Sequence, residues 1–98
     1  MRTLTAIIRA KKGHEATVRA ALVEVGDYVR AHEPETLGYF VAQDPEDPCL
    51  FTTYERFVDQ AAMDRHNNGE GSKAFFAKCG ALLDGSATIV TAEELFAR

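Results

Sequence analysis

Ninety-eight residues are enough for one domain with a real but modest core. The chain is 46% apolar and 27% charged, ordinary for a globular protein, and its formal net charge is -4. Eleven scattered basic residues do not make the clustered positive surface that nucleic acid or an anionic membrane requires, so neither is expected as a partner. No run approaches the ~20 apolar residues of a membrane-spanning helix. The chain enters a strand pattern directly after Met1, without a signal-peptide apolar run, and a cytoplasmic location is expected.

Residues 3–10 alternate as a first strand, with Leu4, Ala6 and Ile8 against Thr3, Thr5 and Ile7. Both sets are apolar or β-branched, as in a strand covered on both faces. Residues 14–32 carry Val18, Ala21, Leu22, Val25, Tyr28 and Val29 at helical spacing, forming one apolar stripe. Gly26 inside that stripe costs about 1 kcal/mol relative to alanine unless close packing uses it. Glu33 precedes Pro34, which drives it out of the helical region and ends the element.

Residues 37–43 read as a second strand, with Leu37, Tyr39 and Val41 on one side and Gly38, Phe40 and Ala42 on the other. Asp44-Pro45-Glu46-Asp47-Pro48 is a turn: an aspartate can bond the backbone two residues on, and proline fixes φ. A third strand at 49–57 completes a hairpin. It feeds straight into a helix over 60–67, with Asp59 as N-cap and Val58 and Met63 at the positions of a hydrophobic staple. Asn67-Asn68-Gly69 ends that helix, and Gly69-Glu70-Gly71-Ser72 reads as a flexible joint. A third helix is expected over 72–83, with Phe75, Cys79, Leu82 and Leu83 on one face. A final strand is expected over 87–96. Cys49 and Cys79 lack metal or redox spacing and are expected to be free thiols.

The order β-α-β-β-α(α)-β predicts a single α+β domain, residues 1–98, with the ferredoxin-like plait: four antiparallel strands and helices on one face. The strands are apolar on both parities, so the face without helices should also be covered. A second copy of the same sheet is the economical cover, giving a homodimer that closes as an α/β barrel.

Ala10-Lys11-Lys12-Gly13-His14-Glu15, Glu33-Pro34…Gly38-Tyr39, Gln43-Asp44-Pro45, Phe51…Tyr54-Glu55-Arg56-Phe57, Asp59…Ala62-Met63…His66 and Lys73-Ala74-Phe75 occur in an order and spacing that resembles the antibiotic biosynthesis monooxygenase family of dimeric α+β barrels. The resemblance implies a pocket between sheet and helices. It also implies one of three chemistries: cofactor-independent oxygenation of a quinol or polyphenol by dioxygen, haem degradation, or isomerisation of a phosphorylated autoinducer-2-like metabolite. The haem-degrading branch uses a strand-one asparagine, a helix-two tryptophan and a helix-three histidine. Here Ala6 stands at the first position, tryptophan is absent, and helix three reads Phe75-Phe76-Ala77-Lys78, so haem degradation is not expected. The Gly69-Glu70-Gly71 segment replaces a commoner one that carries a histidine.

His66 matches a position where the family commonly has a histidine. Its ordinary pKa near 6.5 suits a general base that takes a phenolic proton. The plainer alternative is a structural histidine bonding a nearby carbonyl. Glu55 could orient His66 or bind substrate if it faces the pocket, or pair with an arginine if it faces the partner; strand parity alone does not decide. Tyr54, Tyr39 and Phe75 are candidates to stack on a planar substrate, or are plain core. Arg56 is assigned to the dimer interface, and His14 and His32 to structural roles. The chemistry expected is a monooxygenase that needs no cofactor or metal, because a deprotonated quinol can itself give an electron to dioxygen. The competing expectations are an isomerase of a phosphorylated metabolite and a non-catalytic small-molecule-binding dimer.

Overall fold

A computed structural model describes residues 1–98. The elements are β1 (Arg2–Arg9), α1 (Glu15–His32), β2 (Thr36–Gln43), β3 (Leu50–Phe57), α2 (Gln60–Asn67), α3 (Glu70–Cys79) and β4 (Thr88–Glu93). A 3-10 turn over Gly80–Leu82 follows α3. The sheet is antiparallel throughout, in the order β2-β3-β1-β4. This is the ferredoxin-like plait that the element order predicts.

Strand alternation divides the sheet into two unlike faces. Leu4, Ala6 and Ile8 of β1 and Phe51, Thr53, Glu55 and Phe57 of β3 point toward the helices and are buried. The pairing of β1 with β3 sets Leu4 opposite Glu55 and Ala6 opposite Thr53, so the two central strands share one inward floor. Val18, Ala21, Leu22, Val25 and Val29 of α1, with Ala62, Met63, Phe75 and Cys79, close the core above it. The opposite face carries Ile7, Phe40, Tyr54 and Val90, all exposed.

The local signals behind the elements are visible in the bonds. The Asp59 carboxylate accepts from the Ala62 amide at 2.9 Å, capping α2, and Val58 and Met63 both pack into the core. Asp44 Oδ1 accepts from the amides of Glu46 and Asp47 at 2.8 and 3.2 Å, which holds the β2–β3 turn. Both cysteines are free thiols.

Three expectations are corrected, and the alternative left open at Gly26 is decided. The Gly69–Ser72 joint is not flexible linker: α3 begins at Glu70, with Gly69 as its N-cap. A Cβ on Gly71 would sit 2.7 Å from the Tyr28 ring, so glycine is needed where α3 crosses α1 closely. Gly26 has nothing within 4 Å of its would-be Cβ and serves no close packing. Leu37 does not share the inward side with Tyr39 and Val41, because an irregularity between Thr36 and Gly38 breaks the alternation there and leaves Leu37 exposed. The last strand ends at Glu93, and beyond it Leu95 and Phe96 are 95% and 86% exposed.

Candidate active site

The organising feature is a row of three side chains brought together from distant parts of the chain. His66 lies in the last turn of α2, where a cation complements the helix dipole. Its Nδ1 is 2.7 Å from Oε1 of Glu33, the residue that ends α1. Its Nε2 is 3.0 Å from Oε1 of Glu55, in the middle of β3. His66 and Glu55 are only 5% and 6% exposed. The ring is flanked by Phe57 at 5.4 Å and Tyr39 at 6.0 Å between centroids.

Each member is held by a neighbour. Thr53 Oγ1 donates to Glu55 Oε2 at 2.6 Å, along the same inward row of β3. Thr36 Oγ1 donates to Glu33 Oε1 at 2.8 Å. Ser72 Oγ donates to the His66 carbonyl at 2.8 Å and fixes the end of α2 against α3. The Tyr39 hydroxyl donates to the Leu22 carbonyl at 3.1 Å. Burial, and then the nearby Glu55 charge, hold that hydroxyl far above its ordinary pKa, so Tyr39 stays neutral.

Charge sets the state of the trio. Burial alone would push the His66 pKa down; the carboxylates of Glu55 and Glu33 outweigh it, and the net shift is upward. The two carboxylates therefore favour the protonated, imidazolium form of the ring. Glu55 Oε1 is close enough to Nε2 for an ion pair, yet it is the one buried side-chain oxygen or nitrogen with no aligned hydrogen-bond partner. An incompletely satisfied carboxylate oxygen in a core costs free energy and marks a place where something else can bond.

That oxygen belongs to a residue lining a cavity of about 90 Å³ between the sheet and the helices. Leu4, Ala6 and Ile8 form its floor, and Leu22, Val25 and Phe75 its roof. Glu55, His66, Thr53 and Ser72 supply the polar side, and no lysine or arginine lines it. Phe76 and Ile89, more than half exposed, stand at its open side, because no helix covers β4.

Of the residues singled out in the sequence, His66, Glu55, Tyr39 and Phe75 all line this cavity. Tyr54 does not. It points from the opposite face of β3, 40% exposed, with its ring 6.3 Å from Phe40, so its expected place against a substrate is corrected. Arg56 shares that outer face, but its carboxylate partner is within the chain: Nε and Nη2 donate to Glu94 at 2.6 and 3.0 Å. Glu33 was not singled out as a site residue. A signal existed, since an acid at a helix C-terminus opposes the dipole and asks for a nearby cation.

The antibiotic biosynthesis monooxygenase family matches residues 1–78, and the chain belongs to that family. It is similar to a crystal structure described as an antibiotic biosynthesis monooxygenase, at 25% identity over 97% of this chain and 99% of that one, with a TM-score of 0.88. It is also similar to PA3566 from Pseudomonas aeruginosa, at 33% identity over 97% and 94% of the two chains, with a TM-score of 0.86. NE2512 from Nitrosomonas europaea, a protein of unknown function, is 27% identical over 99% and 91%, with a TM-score of 0.88. No curated protein matches the chain. No helix is long and apolar enough to cross a membrane.

Proposed function

We propose that this protein is a cofactor-independent monooxygenase that takes a small aromatic diol or quinol into the cavity and oxidises it with dioxygen. The observation that carries the proposal is the buried Glu55 Oε1, 3.0 Å from His66 Nε2 but without an aligned hydrogen bond, in an otherwise apolar chamber. A phenolic hydroxyl is a donor that this oxygen can still accept from, beside the His66 ring. Both nitrogens of His66 face carboxylates, so the ring is not an open base. In the reaction proposed, Glu55 Oε1 takes the phenolic proton and His66 stabilises the phenolate left behind.

The chemistry then balances without another reductant. A hydroquinone and one dioxygen yield a hydroxyquinone and one water, and the substrate supplies all the electrons. The proton parked on Glu55 returns to the oxygen atom that leaves as water. The protein's part is to bind, orient and deprotonate in a site shielded from water.

An engineered apolar cavity of ~150 Å³ holds benzene. At about 90 Å³ this cavity takes a single ring edge-on, with part of it at the mouth between Phe76 and Ile89. The small volume also favours a second reading, a small-molecule-binding protein without turnover. The phosphorylated-metabolite reading gains no support, since a phosphate would meet the Glu55 carboxylate and no lysine or arginine. The exposed Ile7, Phe40, Tyr54 and Val90 support a homodimer in which two sheets face each other.

The test is oxygen uptake with a panel of hydroquinones, with product analysis by mass spectrometry. Uptake of one oxygen per hydroquinone, with one oxygen atom in the product, is expected. Tight binding of a hydroquinone with no uptake above autoxidation would favour the binding-only reading.

A further inference from the structure

We propose that Glu33 is a positioning residue of this site: from outside the cavity it orients the His66 ring and holds it as a cation, so that Nε2 serves Glu55 within. The inference rests on the acid–base role given above to Glu55 and His66.

Glu33 has no reason to be acidic as a helix end. It follows His32 at the C-terminus of α1, where a negative charge meets the negative end of the dipole. Its carboxylate is instead spent on His66 Nδ1, at 2.7 Å, and is steadied by the Thr36 hydroxyl. The Glu33 side chain is 13% exposed and lines a second, polar hollow with Tyr28, His32, Glu35 and Arg65. His66 lines both spaces. The imidazole is thus a partition: Nδ1 is read from the polar outer side, and Nε2 is presented to the apolar inner side.

Two consequences follow from the geometry. A carboxylate at Nδ1 requires a proton there, which fixes the ring's orientation. A second carboxylate also makes the imidazolium stable in a buried setting, where Glu55 alone must contend with desolvation. The other groups around the ring do not take over this task. Tyr39 of β2 is neutral, Ser72 of α3 bonds the His66 carbonyl, and Arg65 of α2 is paired with Glu35. His32 and Tyr28 of α1 line the outer hollow without bonding the ring. When Glu55 takes the phenolic proton, negative charge passes to the substrate oxygen, and the cation held by Glu33 is what offsets it.

The experiment is an NMR titration of the His66 ring in Glu33→Gln, alongside the pH profile of kcat. The His66 midpoint is expected to fall by about 1 unit or more, the usual effect of losing an opposite charge within a few ångströms. The alkaline limb of kcat should move down with it, while KM changes less than kcat. Glu35→Gln, which frees Arg65 in the same outer hollow, should move neither. Where Glu33→Gln does not fold, Glu33→Asp reads the same quantity: its shorter carboxylate should lower the midpoint by a smaller amount. A His66 midpoint unchanged in the folded variant overturns the proposal. The titration needs no turnover, so absent oxygen uptake would count against the quinol reading and leave the Glu33 inference to be decided on its own.

Discussion

Glu55 and Tyr54 are neighbours on one strand and belong to different chemistries. Glu55 faces the helices, buried beside the His66 ring; Tyr54 faces outward, exposed beside Phe40. The covered face of the sheet is a finished core with one costly polar row in it. The other face is apolar but uncovered. The difference shows how a two-residue period lets one strand carry a buried polar row on one face and exposed aromatics on the other.

The comparison can be broken most severely from the covered side. His66→Ala leaves Glu33 and Glu55 without their shared cation. A loss of about 3–5 kcal/mol is expected, the cost of removing one partner from a buried ion pair. Urea unfolding measures it, and a loss under about 1 kcal/mol would mean that water solvates the pair. Next is Gly71→Ala, whose new Cβ meets the Tyr28 ring at 2.7 Å. Overpacking of this kind costs about 1–3 kcal/mol, and thermal unfolding should show the cost shrinking in a Tyr28→Leu background.

The outer face should respond differently. Phe40→Ala and Tyr54→Ala should weaken self-association roughly tenfold or more, as truncated interface aromatics do. Sedimentation equilibrium reads this, and a wild type that stays monomeric at micromolar concentration contradicts the dimer.

The smallest effect is a pH dependence. The folded-state pKa of His66 is raised, so its contribution to stability is full below the unfolded value of about 6.5 and is lost as pH rises through the folded value. Melting temperature should therefore fall over that alkaline-going window in wild type, and less steeply in His66→Ala. Equal slopes would contradict the charge state given to the trio.

Much of the fold was legible because periodicity and local bonding agree. The apolar stripe of α1, the Asp59 cap and the Asp44 turn all appear where their residues predict them. The site was legible only in part. β3 is apolar on both parities, with Phe51 and Phe57 inward and Tyr54 outward, so nothing local says which way Glu55 points. Glu33 lies 33 residues from His66 in the chain, and only the fold, which brings the end of α1 to the last turn of α2, reveals the pair. The glycines at 69 and 71 read as a break because their local cost is visible, whereas the α1–α3 contact that offsets it is not.

The sharpest measurement compares the two neighbours on β3 directly. Hydroquinone-dependent oxygen uptake is measured at neutral pH in Glu55→Gln and in Tyr54→Phe. Glu55→Gln keeps the size of the side chain and removes the proton acceptor, and kcat should drop by about 100-fold or more, the usual worth of a general base. Tyr54→Phe should retain the wild-type rate. Full activity in Glu55→Gln, or collapse in Tyr54→Phe alone, would contradict the assignment of chemistry to the helix-covered face.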